Sequence, residues 1–328
     1  MKRTILTSIA ALAVSSATAF AADIELKVTT DSGFSDSPSG IAIANWAKAI
    51  EEGSDGEIEV QVFYQDELGT QLEVFDLFVA GEVDLMLAWP STTYDKRIGV
   101  VTTPFMVSSW EEATEALRPD GWANSIINDV FAGIGLKYLG AWPEGFAGVA
   151  TRGKYATTID GASDIKVRTA PYFPNPESLQ AMGYQTEVIE WGETYTSIQT
   201  GLVDGDSGNV IYWDYEYFGD LLDYFVHTKH KFGTGSILAN LNNFEELSEE
   251  HQALIVETAE TMMEEQFASA RAEDQRNIER AVADGMEYIE LTEEESAALK
   301  EAVRTQVWPL IEESVGSEIM EQIRAHAK

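Results

Sequence analysis

The chain has no cysteine among its 328 residues. That excludes disulfide staples and thiolate metal sites in one step, so stability must come from ordinary burial. Basic residues are scarce: 21 Lys and Arg face 56 Asp and Glu, a formal charge of -35. A field of that sign repels nucleic acid and anionic membrane surfaces, so neither is expected as a partner. The same charge keeps an exported protein solvated, so acidity alone does not identify a ligand. It does require that any anionic guest be met by a local cation. The four histidines, His227, His230, His251 and His326, form no ligand cluster, and His227 and His230 read as surface residues. There is no GxSxG, HExxH, P-loop or GxGxxG. Asp204-Gly205-Asp206 opens like a calcium loop, yet Gly208 holds the next ligand position and no Glu closes it at Tyr215. No nucleophile has a base beside it. The expectation is a protein that is not an enzyme and carries no cofactor or metal.

Long apolar runs are also missing. The nearest is Thr4–Val14, shorter than the roughly 20 residues a membrane helix needs. Lys2 and Arg3 precede it and Ala19-Phe20-Ala21 follows it, the order of a signal peptide cleaved near Ala21. The mature chain, about 307 residues, is then exported without direct membrane insertion, and is long enough for two cores.

What is present follows an α/β rhythm. Ile24–Val28 alternates as a strand, Ser37 and Pro38 start a helix that runs to Ile50, and Glu57–Phe63 alternates again. A helix over 70–80 and a short apolar strand over 83–88 complete the first half. Strands are expected at 136–139, 146–151, 165–168 and 187–189, with helices at 177–182 and 193–200. From Ser248 to Asp284 there is neither Gly nor Pro, and Ser248 suits an N-cap. The spacing predicts a helix of up to about 36 residues, some 50 Å long, too long for one small lobe. The fold class is therefore α/β, in two lobes, with a long helix spanning both.

Arg168 stands out. It ends the apolar strand Ile165–Val167 and precedes Thr169-Ala170-Pro171, and ligands of open α/β sheets sit beyond such strand ends. Its planar fork matches a carboxylate.

The run Asp164-Ile165-Lys166-Val167-Arg168, then Ala181-Met182-Gly183, then Trp191-Gly192-Glu193-Thr194-Tyr195 through Gln199, Gly201 and Val203-Asp204-Gly205 resembles the TRAP-transporter solute-binding proteins of the dicarboxylate-binding (DctP) type. Gly56-Glu57-Ile58-Glu59-Val60, Glu67-Leu68-Gly69, Gly81-Glu82-Val83-Asp84 and Leu247-Ser248-Glu249-Glu250-His251-Gln252 agree in order and spacing. The resemblance implies a two-lobed periplasmic binding protein fold. Residues 22–146 with about 232–275 would form one lobe, and 147–231 with about 276–328 the other. It implies that Arg168 pairs with the ligand carboxylate, that Trp191 lies against the ligand, and that Asn209 and Asp31 supply polar contacts. Trp89 falls at a loop position facing the cleft, and Trp213 extends an aromatic wall unless it or Trp89 packs in a core. Many members carry a second arginine near Gly145-Phe146, where this chain has Ala147. That departure argues against a doubly anionic guest and towards a carboxylate whose other end is apolar or cationic. The implied function is capture of a small organic acid, or alternatively an ectoine- or betaine-like zwitterion, for delivery to TRAP permease membrane subunits. Presentation to a periplasmic sensor is the other use of the same closed form.

Overall fold

Alternating burial along β1 (Ile24–Thr30) sets the first sheet: Leu26 and Val28 face inward while Glu25 and Lys27 face out. The computed structural model describes residues 22, 24–89 and 92–327, and the leader expected over 1–21 lies outside them. Helix α1 (Pro38–Gly53) begins where predicted, with the Ser37 hydroxyl accepting from the Gly40 N–H and proline in the first turn. After β2 (Ile58–Phe63), a reciprocal capping box between Thr70 and Glu73 starts α2 (Gln71–Val79). Then come β3 (Leu85–Ala88), a 3-10 turn over Lys96–Thr102, α3 (Trp110–Leu117), α4 (Trp122–Ala132) and the long β4 (Leu136–Phe146).

The second half runs β5 (Val149–Thr151), β6 (Lys166–Thr169), α5 (Asn175–Ala181), β7 (Gln185–Val188), α6 (Thr194–Thr200), β8 (Gly205–Ser207), α7 (Ile211–Phe218) and β9 (Tyr224–His227). The chain then re-enters the first sheet as β10 (Phe232–Asn240), passes through α8 (Leu241–Glu246) and α9 (Glu249–Ala283), and places β11 (Glu287–Glu290) in the second sheet. Helices α10 (Glu293–Val315) and α11 (Ser317–His326) finish it.

Two sheets result. The first has the order β2-β1-β3-β10-β4, the second β11-β9-β5-β8-β6-β7. In the first, β1 is parallel to β2 and β3, and β10 is antiparallel to β3 and β4. In the second, β6 is parallel to β7 and β8. The expected single strand over 146–151 is in fact two, because the chain changes sheets between Phe146 and Val149.

The predicted long helix is α9, 35 residues capped by Ser248. It packs on α1 and β4 from the first half and on α7 and β11 from the second. Trp46 donates to Thr258 at 3.1 Å near one end, and Arg280 pairs with Glu216 of α7 near the other. The C-terminal helices also touch both halves: α10 packs on α5 and on the 96–102 turn, and Trp308 donates to the Pro104 carbonyl at 2.9 Å. Among the described residues, no helix is long and apolar enough to cross a membrane.

Two histidines depart from expectation. His227 and His230 are not on the surface but only 7% and 1% exposed. They lie where β9 hands the chain to β10. His227 lies between the Phe146 carbonyl, at 3.2 Å, and Glu290 of β11, and His230 Nδ1 meets the Thr228 hydroxyl at 2.6 Å. Burial pushes the His230 imidazole down to about 3, so it is neutral, as a buried ring beside Lys231 must be.

Candidate functional site

Arg168 occupies β6 in register with Asp206 of β8, which sets the two side chains next to each other. The guanidinium is 2% exposed. Its Nε–H donates to the Ile189 carbonyl at 2.8 Å and its Nη1 to Asp206 at 3.3 Å, and its centre lies 5.6 Å from the Trp191 ring. Arginine has five N–H donors, so most of the fork remains available on the cavity side.

That cavity is bounded by elements of both halves. Trp89, Glu144, Gly233 and Thr234 come from the first sheet and its strand ends. Arg168, Tyr172, Asn175, Trp191, Asn209 and Trp213 come from the second half. Contacts cross from one half to the other: Tyr172 donates to Gln71 at 2.9 Å, the Phe173 N–H to the Thr92 hydroxyl, and Trp213 to Glu144 at 2.6 Å.

The aromatic wall exists. Trp213 stands edge-on to Trp89 at 6.0 Å and to Trp191 at 5.9 Å between ring centres. Trp89 and Trp213 are not simply packed in a core, since both line the cavity while packing on other rings. The indole N–H groups of Trp89 and Trp213 take one oxygen each of Glu144, at 2.9 and 2.6 Å. Burial pushes the Glu144 carboxyl up to about 7, against the indole bonds and Lys231, which pull it down.

Asn209 also lines the cavity, but its amide N–H groups go to Asp206 at 2.7 Å and Asp214 at 3.1 Å, leaving its oxygen for a guest. Burial raises both acids, and Asp214, facing Asp206 as well, is raised furthest. Asp31 is placed differently from expectation. Both its oxygens accept the Trp89 backbone N–H at 3.2 Å, and it borders a separate small void with Gln71, Tyr172 and Glu190. Its carboxylate fixes the loop that carries Trp89, whose ring lines the same void.

The sequence reading missed Lys231, Glu144 and Tyr172. Lys231 corrects an inference drawn above. Ala147, where a second arginine was missed, donates its backbone N–H to the Lys231 carbonyl at 3.0 Å, and the Lys231 side chain lines the cavity. A second cation is therefore present, from the residue just before β10, and the argument against a doubly anionic guest falls. A signal existed: one lysine opening a run of nine buried residues from Phe232 to Asn240.

The comparisons agree with this fold. The family model described as bacterial extracellular solute-binding protein, family 7 (DctP) matches residues 32–313. The ectoine-binding periplasmic protein TeaA of Halomonas elongata is 25% identical over 296 residues, covering 85% of this chain and 83% of that protein. A crystal structure of the ectoine-binding protein from the Halomonas elongata TeaABC TRAP transporter superposes with a TM-score of 0.85 at 22% identity, over 92% of this chain and 99% of that one. A TRAP periplasmic solute-binding protein from Haemophilus influenzae with bound L-gulonate gives 0.84 at 17% identity, over 92% and 99%. With the match spanning most of its length and both sheets in place, the chain belongs to the bacterial extracellular solute-binding protein family 7.

Proposed function

We propose that the protein captures a small organic carboxylate between its two halves in the periplasm and delivers it to the membrane permease subunits of a TRAP transporter. The observation that carries this is Arg168: a guanidinium inside the cavity wall, with donors left over, in a chain of strongly negative charge. Trp191 and Trp213 offer flat apolar surface, and the Asn209 oxygen and Tyr172 hydroxyl offer polar selectivity. The halves are taken as residues 22–146 with about 232–275, and 147–231 with about 276–328. Ligand contacts from both favour the closed arrangement and shift an equilibrium that exists without ligand. Relatives named for ectoine and structures holding L-gulonate support a guest with a carboxylate.

A thermal-shift screen over organic acids, uncharged sugars and organic cations tests it. Binding stabilises the native state by RT ln(1 + [L]/Kd), about 2.7 kcal/mol at a hundredfold excess over Kd. Carboxylates should raise the unfolding temperature and the other classes should not. Stabilisation by cations alone would overturn the reading.

A further inference from the structure

Two basic residues line the cavity, and they are not equivalent. Arg168 is already paired with Asp206, whereas Lys231 has no ion-pair partner among the described residues. Its Nζ has one polar contact, the Asn175 oxygen at 3.5 Å, the outer limit of a hydrogen bond. An ammonium carries three donors, so most of its capacity is unmet in a partly buried position, an arrangement that is unfavourable unless something else supplies the acceptor. Burial accordingly pulls its pKa down to about 8, although Glu144 and Asp206 favour the charge.

Glu144 is the nearest explanation for Lys231 as a structural counter-ion, and the geometry does not favour it. Each Glu144 oxygen is held by an indole N–H, and no ion pair forms between the two groups. Gly208 lies beside this group: a Cβ there would stand 3.4 Å from Nζ and 3.9 Å from the Asn175 amide nitrogen.

We propose that Lys231 determines specificity by donating to a second oxygen on the guest, away from the carboxylate held by Arg168, so that the site selects carboxylates bearing a hydroxyl, keto or second carboxylate group. This rests on the carboxylate reading of the cleft. It reverses the preference that Ala147 alone suggests, because a guest with a cationic end would meet an unpaired ammonium.

Calorimetry with matched acids of three to six carbons tests it, each as the plain monocarboxylate and as its hydroxy, keto or dicarboxylate counterpart. The wild type should favour the oxygen-bearing member of a pair by at least tenfold. Lys231→Met should erase that preference while leaving the plain member within twofold, and Lys231→Arg should restore part of it. If Lys231→Met melts far below wild type, Lys231→Gln is measured instead, with a partial loss of preference expected. A preference that survives removal of the charge overturns the proposal, and so does an equal weakening of plain and oxygen-bearing acids. A wild type that binds no acid of the panel overturns the carboxylate reading as well.

Discussion

Trp213 donates its indole N–H to Glu144 at 2.6 Å, tying α7 of the second half to β4 of the first. The bond joins the two walls of the cavity, so it contributes to the closed arrangement proposed to hold a guest. Trp213→Phe keeps most of the ring packing but leaves one oxygen of a buried carboxyl without a donor, a loss of about 1–3 kcal/mol. Affinity for the guest should fall by about tenfold, which corresponds to about 1.4 kcal/mol. Titration calorimetry reads this directly, and unchanged affinity would mean that the bond does not help hold the halves together.

Arg168 has a structural role beside the binding one proposed for it, and the two can be separated. Removing it leaves Asp206 buried without its countercharge, so Arg168→Ala should lower stability by about 3–5 kcal/mol in addition to abolishing binding. Arg168→Lys keeps the charge beside Asp206 but loses the fork that reaches Ile189, Asp206 and a carboxylate together. It should remain close to wild type in denaturant unfolding while binding about a hundredfold more weakly, as when a partner is taken from a buried charge pair. Full affinity in Arg168→Lys would remove Arg168 from the binding role.

The pH dependence of stability has a definite sign. Burial is the largest cause in pushing Asp31, Glu144 and Asp274 each up to about 7. A raised carboxyl holds its proton more tightly in the folded chain, so its contribution is full below the unfolded value near 4 and is lost as pH rises through 7. His230 works the other way: with a folded value of about 3, its contribution is present above the ordinary 6.5 and declines as pH falls below that. Lys231, lowered to about 8, opposes the carboxyls mainly above pH 8. The ligand-free protein should therefore unfold at a higher temperature as pH drops from 8 to 5, with the steeper rise below 6.5, where the three carboxyls together outweigh His230. Asp274→Asn should flatten the rise, most of all below 6.5. A calorimetric series showing a falling temperature from 8 to 6.5 would contradict this balance.

The local grammar of the fold was readable because it rests on nearest-neighbour chemistry. Ser37, Thr70 with Glu73, and Ser248 cap helices through bonds to residues three positions on. Two departures show long-range pairing overriding local pattern. β4 continues through Gly140 and Pro143 because β10 pairs with it around two register shifts, and β10 is buried on both faces, so it shows no alternation. The site divides the same way. Arg168 was legible from its strand end and Trp191 from its motif. Glu144, Tyr172 and Lys231 converge from positions dozens of residues apart, and no local spacing records that meeting. Asp31 was correctly seen as a polar group in the first-strand loop, but only the fold shows its carboxylate turned to a backbone N–H.

Gly205 gives a physical reason for the glycine in the Val203-Asp204-Gly205 run. It pairs with Thr151 across β5 and β8, and a Cβ built there would fall 1.9 Å from the Ala150 carbonyl oxygen and 2.8 Å from the Thr151 Cα. Both obstacles are backbone, so no side-chain rotation can relieve the clash, and the two strands must separate. Overpacking of this kind costs about 1–3 kcal/mol and sometimes more. Here the displaced strand also carries Asp206, which holds Arg168. Gly205→Ala should thus lower both the unfolding midpoint in urea and the affinity for the guest. Gly192, beside Trp191 with nothing within 4 Å of its would-be Cβ, is the matched control: Gly192→Ala should unfold at the wild-type midpoint. Equal midpoints for the two variants would show that the β5–β8 pair has slack that the geometry denies.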